Sequence, residues 1–113
     1  MRIDVTDNSA AQRYEAHADG REAGYIDYRV RDGRITLVHT EVHDDFEGKG
    51  VGSTLVKGAL AQAAEAGLEL LPVCPFVASY VKRHPEYVDF VPASERARFG
   101  LPETPGPPSR GSG

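Results

Sequence analysis

Cysteine, long apolar runs and clustered positive charge are scarce in this sequence, and each scarcity excludes a class of protein. The single cysteine, Cys74, cannot form an intramolecular disulfide, which excludes a disulfide-stabilised scaffold and favours a reducing compartment. No run approaches the roughly 18 apolar residues of a membrane span, and the first ten residues lack the apolar core of a secretory signal. We therefore expect a cytoplasmic protein that does not act at a membrane.

The charged residues, 17 acidic and 13 basic, are interspersed along the chain and give a formal net charge of −4. No basic stripe is present, so nucleic acid is not the expected partner. The chain has 113 residues, of which 40% are hydrophobic, and this is enough for one core. We predict a single domain over residues 1–93. In residues 94–113 proline, glycine, serine and charge replace periodic apolar positions, which predicts a disordered tail.

The first 42 residues show the patterns typical of strands. Residues 13–18 and 26–31 alternate between polar and apolar side chains, and residues 35–42 are rich in β-branched side chains. The pairs Asp19-Gly20 and Asp32-Gly33 separate these segments. Such pairs favour tight hairpin turns, because glycine accepts a positive φ. The pattern predicts an antiparallel meander of three strands.

A helical period begins at Val51 and places Leu55, Ala59 and Ala63 on one side, so a central amphipathic helix is predicted. Gly67 is placed to end it.

Residues 68–74 then form a short, mostly apolar strand, followed by a short helix at 77–84 that Pro85 ends. Pro72 cannot donate a hydrogen bond to a neighbouring strand, so we expect this strand to be imperfectly paired. The order of elements predicts an α+β fold.

The most informative segment lies between the predicted meander and the central helix, where Gly48, Gly50 and Gly52 alternate with other residues. Glycines leave the backbone uncovered, and the first turn of a helix adds unpaired N–H groups and the positive end of the helix dipole. Such a turn can bind a phosphate or a diphosphate. It can equally be a tight turn that allows close packing of the helix.

Two nucleotide motifs fail on this segment. A P-loop requires a Gly-Lys-Ser/Thr sequence, which is absent, because Lys49 precedes Gly50. The dinucleotide fingerprint requires a different glycine spacing and a parallel βαβ unit, whereas the strands before this turn are predicted to be antiparallel.

The run from Glu41 to Gly52, followed by an amphipathic helix, resembles the acetyl-CoA motif of the GNAT N-acetyltransferases. Their motif is Arg or Gln, any two residues, Gly, any one residue, and then Gly or Ala. Gly50 and Gly52 match its two small residues. Glu47 stands where Arg or Gln is usual. The resemblance implies a GNAT-like mixed sheet and a turn whose amides bind the coenzyme A diphosphate. The residues implied to bind the coenzyme are Val42, Gly48, Lys49, Gly50, Val51, Gly52 and Ser53, with Lys82 and Arg83 for the adenosine 3′-phosphate.

A second segment, from Pro72 to Pro85, is similar to the very small, single-domain branch of that superfamily, and the two together cover about residues 12–90. The resemblance implies transfer of an acetyl group from acetyl-CoA to an amine. A protein lysine, an N-terminus, a polyamine and a small metabolite are all open as acceptors. The alternative is a non-catalytic module that binds acetyl-CoA or coenzyme A, or an interaction protein on the same fold, since Glu47 departs from the motif and no acceptor-binding lobe is visible.

Four side chains are candidates for the chemistry, each with a structural alternative. Tyr80 could protonate the coenzyme A thiolate, or pack against the sheet. Cys74 could take the acetyl group transiently, because a thiol near a helix start can gain thiolate character, or it could be a small buried residue beside the thioester. His39 and Glu41 alternate with Leu37 and are therefore predicted to project to the same side of the strand. Either could be a general base, directly or through water. The structural alternative is a hydrogen-bonded core histidine for His39 and a solvated strand end for Glu41.

A metal site at His39 and His43 is not expected. Two histidines four residues apart bind zinc when they share a helix face, whereas this segment is predicted to be a strand.

Overall fold

The sheet contains one strand more than the sequence patterns predict. The computed structural model describes residues 2–102, in which the chain forms a five-stranded sheet with the order β1-β2-β3-β4-β5. The strands β1 to β4 form an antiparallel meander, and β5 pairs in parallel with β4. This confirms the predicted α+β class and mixed sheet. The strands are β1 Ile3–Asn8, β2 Arg13–Ala18, β3 Arg21–Arg31, β4 Arg34–Val42 and β5 Glu69–Pro72, and the helices are α1 Val51–Glu65, α2 Pro75–Arg83 and α3 Ala93–Arg96.

Strand β1, which was not predicted, is held in place by α1. The ideal Cβ position on Gly58 would lie 2.8 Å from Val5 Cβ, so the helix approaches the strand closely. The Gln62 side-chain amide also donates a 3.1 Å hydrogen bond to the Val5 carbonyl oxygen. Ile3 and Val5 are the only apolar residues of β1, which is too weak an alternation to reveal the strand without these contacts.

Both predicted hairpin turns are confirmed. Asp19 and Gly20 have φ of 52° and 86°, and Asp32 and Gly33 have φ of 54° and 76°. Two successive positive φ values are characteristic of the type I′ turn, whose twist matches that of the strands it joins. The turn at 19–20 starts β3 at Arg21 rather than at residue 26, which brings the beginning of β3 beside the end of β4.

Strand β4 contains a β-bulge that changes which side chains face the core. Tyr28 of β3 pairs with Leu37, and Ile26 pairs with Thr40, so three residues of β3 oppose four of β4. The extra residue is Val38 or a direct neighbour of it. After this residue, the β4 side chains point to the opposite sheet face from the one that simple alternation predicts. Thr40 therefore lies on the side of the sheet where Ile26 is fully buried.

Helix α1 covers one face of the sheet, and its Val51, Leu55, Ala59 and Ala63 are buried as predicted. Gly67, with φ of 72°, follows the last turn and confirms the predicted end of the helix. Within residues 2–102, no helix has both the length and the apolar character that crossing a bilayer would require.

The ordered chain continues past residue 93, where the disordered tail was predicted to begin. Helix α3 is followed by a 3-10 helix, Ala97–Phe99, and both Arg96 and Leu101 are buried. The Arg96 side chain donates a 2.9 Å hydrogen bond to the Val91 carbonyl oxygen. These contacts correct the assignment of residues 94–102 to the tail. The rest of the predicted tail, residues 103–113, lies outside the described residues.

Candidate functional site

The glycine-rich turn forms the start of α1 and exposes backbone amides there. Gly48 and Gly50 have φ of 77° and 76°, and Gly50 is the N-cap residue of the helix. The Thr54 amide donates a 3.1 Å bond to the Gly50 carbonyl oxygen, which is the first hydrogen bond of the helix. The amides of Val51, Gly52 and Ser53 precede that bond, so helical geometry gives them no intrahelical acceptor.

The glycine turn and the first residues of α1 line a depression of about 230 Å³. Val42 and Phe46 lie on the β4 side of it, and Phe76 of α2 lies on the other. An ideal Cβ on Gly52 would lie 2.7 Å from Phe76 Cζ, so the absence of a side chain there lets the ring pack against the first turn of α1. Glu47 also lines the depression, and both Glu47 and Lys49 are exposed on the turn.

Strands β4 and β5 separate before β4 ends at Val42. Their pairing ends at Leu37 and Pro72, as the missing amide hydrogen of proline led us to expect. The Cys74 amide makes one more bond across the gap, 2.8 Å to the Leu37 carbonyl oxygen. Beyond it, side chains meet across the gap, with Thr40 Oγ1 lying 3.2 Å from Cys74 Sγ.

Cys74 is the N-cap residue of α2, and only 4% of its surface is exposed. Its carbonyl oxygen accepts the amide of Ala78 at 3.0 Å, and Pro75 occupies the first position of the helix. Proline suits that position because no intrahelical bond is required of it. Helix α2 therefore begins two residues before the predicted residue 77.

Tyr80 lies inside an aromatic cluster near the end of α2. Its ring centroid is 4.2 Å from that of His84 and 5.9 Å from that of Tyr87, and 5% of the residue is exposed. Burial, followed by the influence of Tyr87, raises the pKa of Tyr80 above its ordinary value. A phenol is protonated at neutral pH in any case, and the raised pKa lets Tyr80 keep its proton to higher pH. Its role as a proton donor stays a prediction.

His39 and Glu41 do not project to the side of Leu37, and that expectation was wrong. Because of the β4 bulge, His39 lies opposite Asp27 and Glu41 opposite Tyr25, on the sheet face away from α1. His39 Nε2 lies 3.1 Å from Glu41 Oε1, and both side chains are about half exposed. Thr40 takes the inward position between them. Sequence alternation could not identify it, because the bulge arises only from pairing with β3.

The sheet face that carries His39 and Glu41 is polar. Arg13 forms ion pairs with Glu15 at 2.8 Å and with Glu22 at 2.9 Å, and its guanidinium carbon lies 4.5 Å from the centroid of the Tyr25 ring. His43 Nε2 lies 2.9 Å from Glu22 Oε2. The hydrogen bond from Arg13 holds the pKa of Glu15 below its usual value.

Lys82 and Arg83 lie in the last turn of α2, away from the glycine turn. Lys82 lines a separate depression of about 440 Å³ with Arg98 and Gly100. It is seven residues after Pro75, which corresponds to roughly 10 Å along a helix. A contact of Lys82 or Arg83 with a 3′-phosphate stays a prediction.

Another depression, of about 560 Å³, lies at the β3–β4 hairpin and has Arg29, Arg31 and Arg34 in its lining. Strand side chains form it, and Arg34 is paired with Glu69 at 3.1 Å. We place the functional site at the smaller depression, where unpaired backbone amides are available. Among residues 2–102, no three side chains of the His, Cys, Asp or Glu type come together as a metal-binding group.

Comparison with known proteins agrees with this geometry. Residues 13–90, more than half of the chain, match the family model of the GCN5-related N-acetyl-transferases. The chain belongs to this family. It is similar to protein NATD1 of Homo sapiens, at 36% identity over 61 residues, which cover 54% of this chain and 50% of that protein. It is also similar to protein NATD1 of Xenopus tropicalis, at 37% identity over 51 residues, 45% of this chain and 47% of the relative.

The chain thus spans about half the length of these two relatives. A solution NMR structure of a GCN5-like protein from Staphylococcus aureus has the same fold, with a TM-score of 0.57 and 25% sequence identity. That likeness covers 80% of this chain and 86% of the other.

Proposed function

We propose that this protein transfers an acetyl group from acetyl-CoA to an amine, with the coenzyme diphosphate bound by the amides of residues 48–53. The observation that carries the proposal is that these amides share a depression with Val42, which ends β4 beyond its pairing with β5, and with Phe76 of α2. Membership of the GCN5-related family supports the same assignment. The acetyl group would then lie near Thr40 and Cys74, the side chains at the separation.

The turn fits a diphosphate in its shape and in its donors. A diphosphate needs several hydrogen-bond donors at close range, and backbone amides without side chains supply them with little steric cost. The positive end of the helix dipole adds to the attraction. Glu47 opposes it, since its carboxylate lines the same depression. Lys49 on the turn offsets part of that charge.

Acetyl-CoA, when bound, supplies an acetyl group activated as a thioester. On this chain, Tyr80 holds a proton on a phenol whose raised pKa keeps it protonated, and we assign it as the donor to the departing thiolate. The His39 and Glu41 pair is assigned as the base that accepts the proton of the amine, directly or through water. Both groups lie on the sheet face away from α1, so the acceptor approaches from that polar face.

Transfer is direct in this proposal, and Cys74 lines the cleft as a small side chain. Its sulfur lies against the Thr40 hydroxyl and is almost fully buried, which limits its access to bulk water. We also assign the reaction to the cytoplasm, in keeping with one free thiol. A coenzyme-binding module without turnover is the second candidate, because the acidic Glu47 stands in the depression.

Calorimetric titration with acetyl-CoA, together with a transfer assay, tests the proposal. The amines for the assay are a lysine peptide, a peptide with a free N-terminus and a polyamine, and the products are followed by mass spectrometry. Binding and acetylation of one of these amines would support the enzyme. Binding with no transfer to any of them would favour the module. An absence of binding at millimolar acetyl-CoA would exclude both.

A further inference from the structure

We propose that Arg21, at the start of β3, binds a phosphate of the coenzyme; the inference rests on the proposed function. The Arg21 guanidinium carbon lies 4.9 Å from the centroid of the Phe46 ring. Phe46 lines the same depression as Gly48 and Gly50. The charged end of Arg21 therefore lies beside the wall of the proposed phosphate site, although Arg21 is distant from the glycine turn in sequence.

The turn itself is short of positive charge. Between β4 and α1 the chain carries Asp44, Asp45 and Glu47, against the single cation Lys49. The unpaired amides of the first helical turn contribute the equivalent of roughly half a positive charge. An anionic coenzyme would thus meet a loop of net negative charge. A cation from another element is needed to reverse that balance, and Arg21 is the cation in contact with the aromatic side chain of this loop.

The fold explains why Arg21 reaches this loop. The type I′ turn at 19–20 starts β3 at Arg21, and Gly24 of β3 pairs with Val42 of β4, which also lines the depression. A side chain at Gly24 would collide with the Glu41 carbonyl oxygen, so glycine permits this close pairing. Arg21 is exposed, and its planar guanidinium can offer two parallel hydrogen bonds to a phosphate.

Packing of the Arg21 stem on Phe46 is the competing explanation for the same contact. Two variants separate charge from packing. Arg21→Met keeps an apolar chain over the ring and removes the charge, whereas Arg21→Lys keeps the charge on a flexible stem. Arg31→Met is the matched control, because Arg31 lies at the other end of β3 with 91% of its side chain exposed.

The experiment is a calorimetric titration of wild type and variants with coenzyme A at about 50 mM and about 500 mM salt. At low salt we expect Arg21→Met to weaken coenzyme A binding about fivefold, as loss of one exposed charge-assisted hydrogen bond would. The difference should shrink at high salt, where exposed charges are screened. Arg21→Lys should stay within about twofold of wild type, since the charge is kept. Arg31→Met should bind as wild type does.

A parallel titration with dephospho-coenzyme A identifies the phosphate. An equal loss for both ligands assigns Arg21 to the diphosphate, and a loss confined to coenzyme A assigns it to the 3′-phosphate. If Arg21→Met binds coenzyme A as tightly at low salt as Arg31→Met and the wild type do, Arg21 does not bind a phosphate. That result would leave the proposed function standing. If Arg31→Met loses affinity for coenzyme A and Arg21→Met does not, the phosphate binds instead in the arginine-lined depression at the β3–β4 hairpin. Failure of wild type to bind would instead reject the proposed function.

Discussion

The Thr40 hydroxyl oxygen lies 3.2 Å from the Cys74 sulfur, across the gap that opens where β4 and β5 separate. Thr40 faces this gap because of the bulge in β4, and Cys74 faces it because it ends the chain segment that follows β5. In the proposed function, the acetyl group lies near these two side chains. Their contact gives the mechanism a direct test.

Replacement of Cys74 distinguishes direct transfer from an acetyl-cysteine intermediate. In direct transfer, Cys74→Ala should keep turnover within about threefold and lower the free energy of unfolding by about 1 kcal/mol, because a small buried group is lost. Mass spectrometry of the wild type after incubation with acetyl-CoA should show no acetyl group on Cys74. A loss of turnover with intact coenzyme binding, together with a stable adduct on Cys74, would contradict direct transfer.

A side chain on the glycine turn should block the coenzyme. Gly50→Glu adds an anion and an unfavourable positive φ at the helix start, so we expect acetyl-CoA binding to weaken by at least about tenfold. Gly33→Glu is the matched control, because Gly33 has the same φ of 76° and equally open space at its Cβ. Calorimetry measures both variants. Similar affinities in the two would show that the turn does not bind the diphosphate.

Removal of the Tyr80 hydroxyl tests its role as proton donor. Tyr80→Phe should lower kcat about a hundredfold, a typical effect for general acid catalysis, and leave the affinity for acetyl-CoA unchanged. The pKa of Tyr80 is raised, so its hydroxyl should stay protonated up to about pH 10. Below that pH, the kcat/KM of the wild type should therefore show no decline caused by loss of this proton. Tyr87→Phe, in the same aromatic cluster, is the control. Equal rates in the two variants would remove Tyr80 from the mechanism.

Two buried tyrosines should make the fold sensitive to alkali. Burial raises the pKa of Tyr14 to about 12, and burial with a 2.6 Å hydrogen bond from the hydroxyl to Asp7 raises that of Tyr28. The unfolded chain releases these protons near pH 10, before the folded protein does. The contribution of both tyrosines to the free energy of unfolding is therefore fully present below about pH 10. It is lost as the pH rises toward their pKa values in the folded state.

Denaturant unfolding from pH 8 to 11.5 measures this decline. Tyr28→Phe should lower the free energy of unfolding by about 1 kcal/mol at pH 8 and make the alkaline decline shallower. Tyr14→Phe should also make it shallower. A decline equally steep in both variants and in the wild type would mean that other groups cause it.

Local features of the fold were predictable because they depend on residues close together in the chain. The Asp-Gly pairs required positive φ at both turns, and the apolar period from Val51 to Ala63 specified a helix with Gly67 after its last turn. The position of the glycines at the start of that helix identified a candidate anion site in the same way.

Pairing between distant segments decided the rest. Strand β1 has too few apolar residues to be predicted, and it is fixed by its pairing with β2 and by the close packing of α1 on Val5 that Gly58 permits. The bulge exchanged His39 and Glu41 for Thr40 on the inner face, since register is defined only when β3 and β4 meet.

The C-terminal residues illustrate the same limit. Their composition is poor in apolar residues, yet Leu101 is buried and Arg96 bonds to the Val91 carbonyl oxygen. Arg21 likewise reaches Phe46 only through the β3 hairpin. Sequence patterns therefore determined which segments form helices, hairpins and an anion-binding turn. Tertiary contacts determined which side chains surround that turn, because the free energy of burial depends on partners that are far apart in the chain.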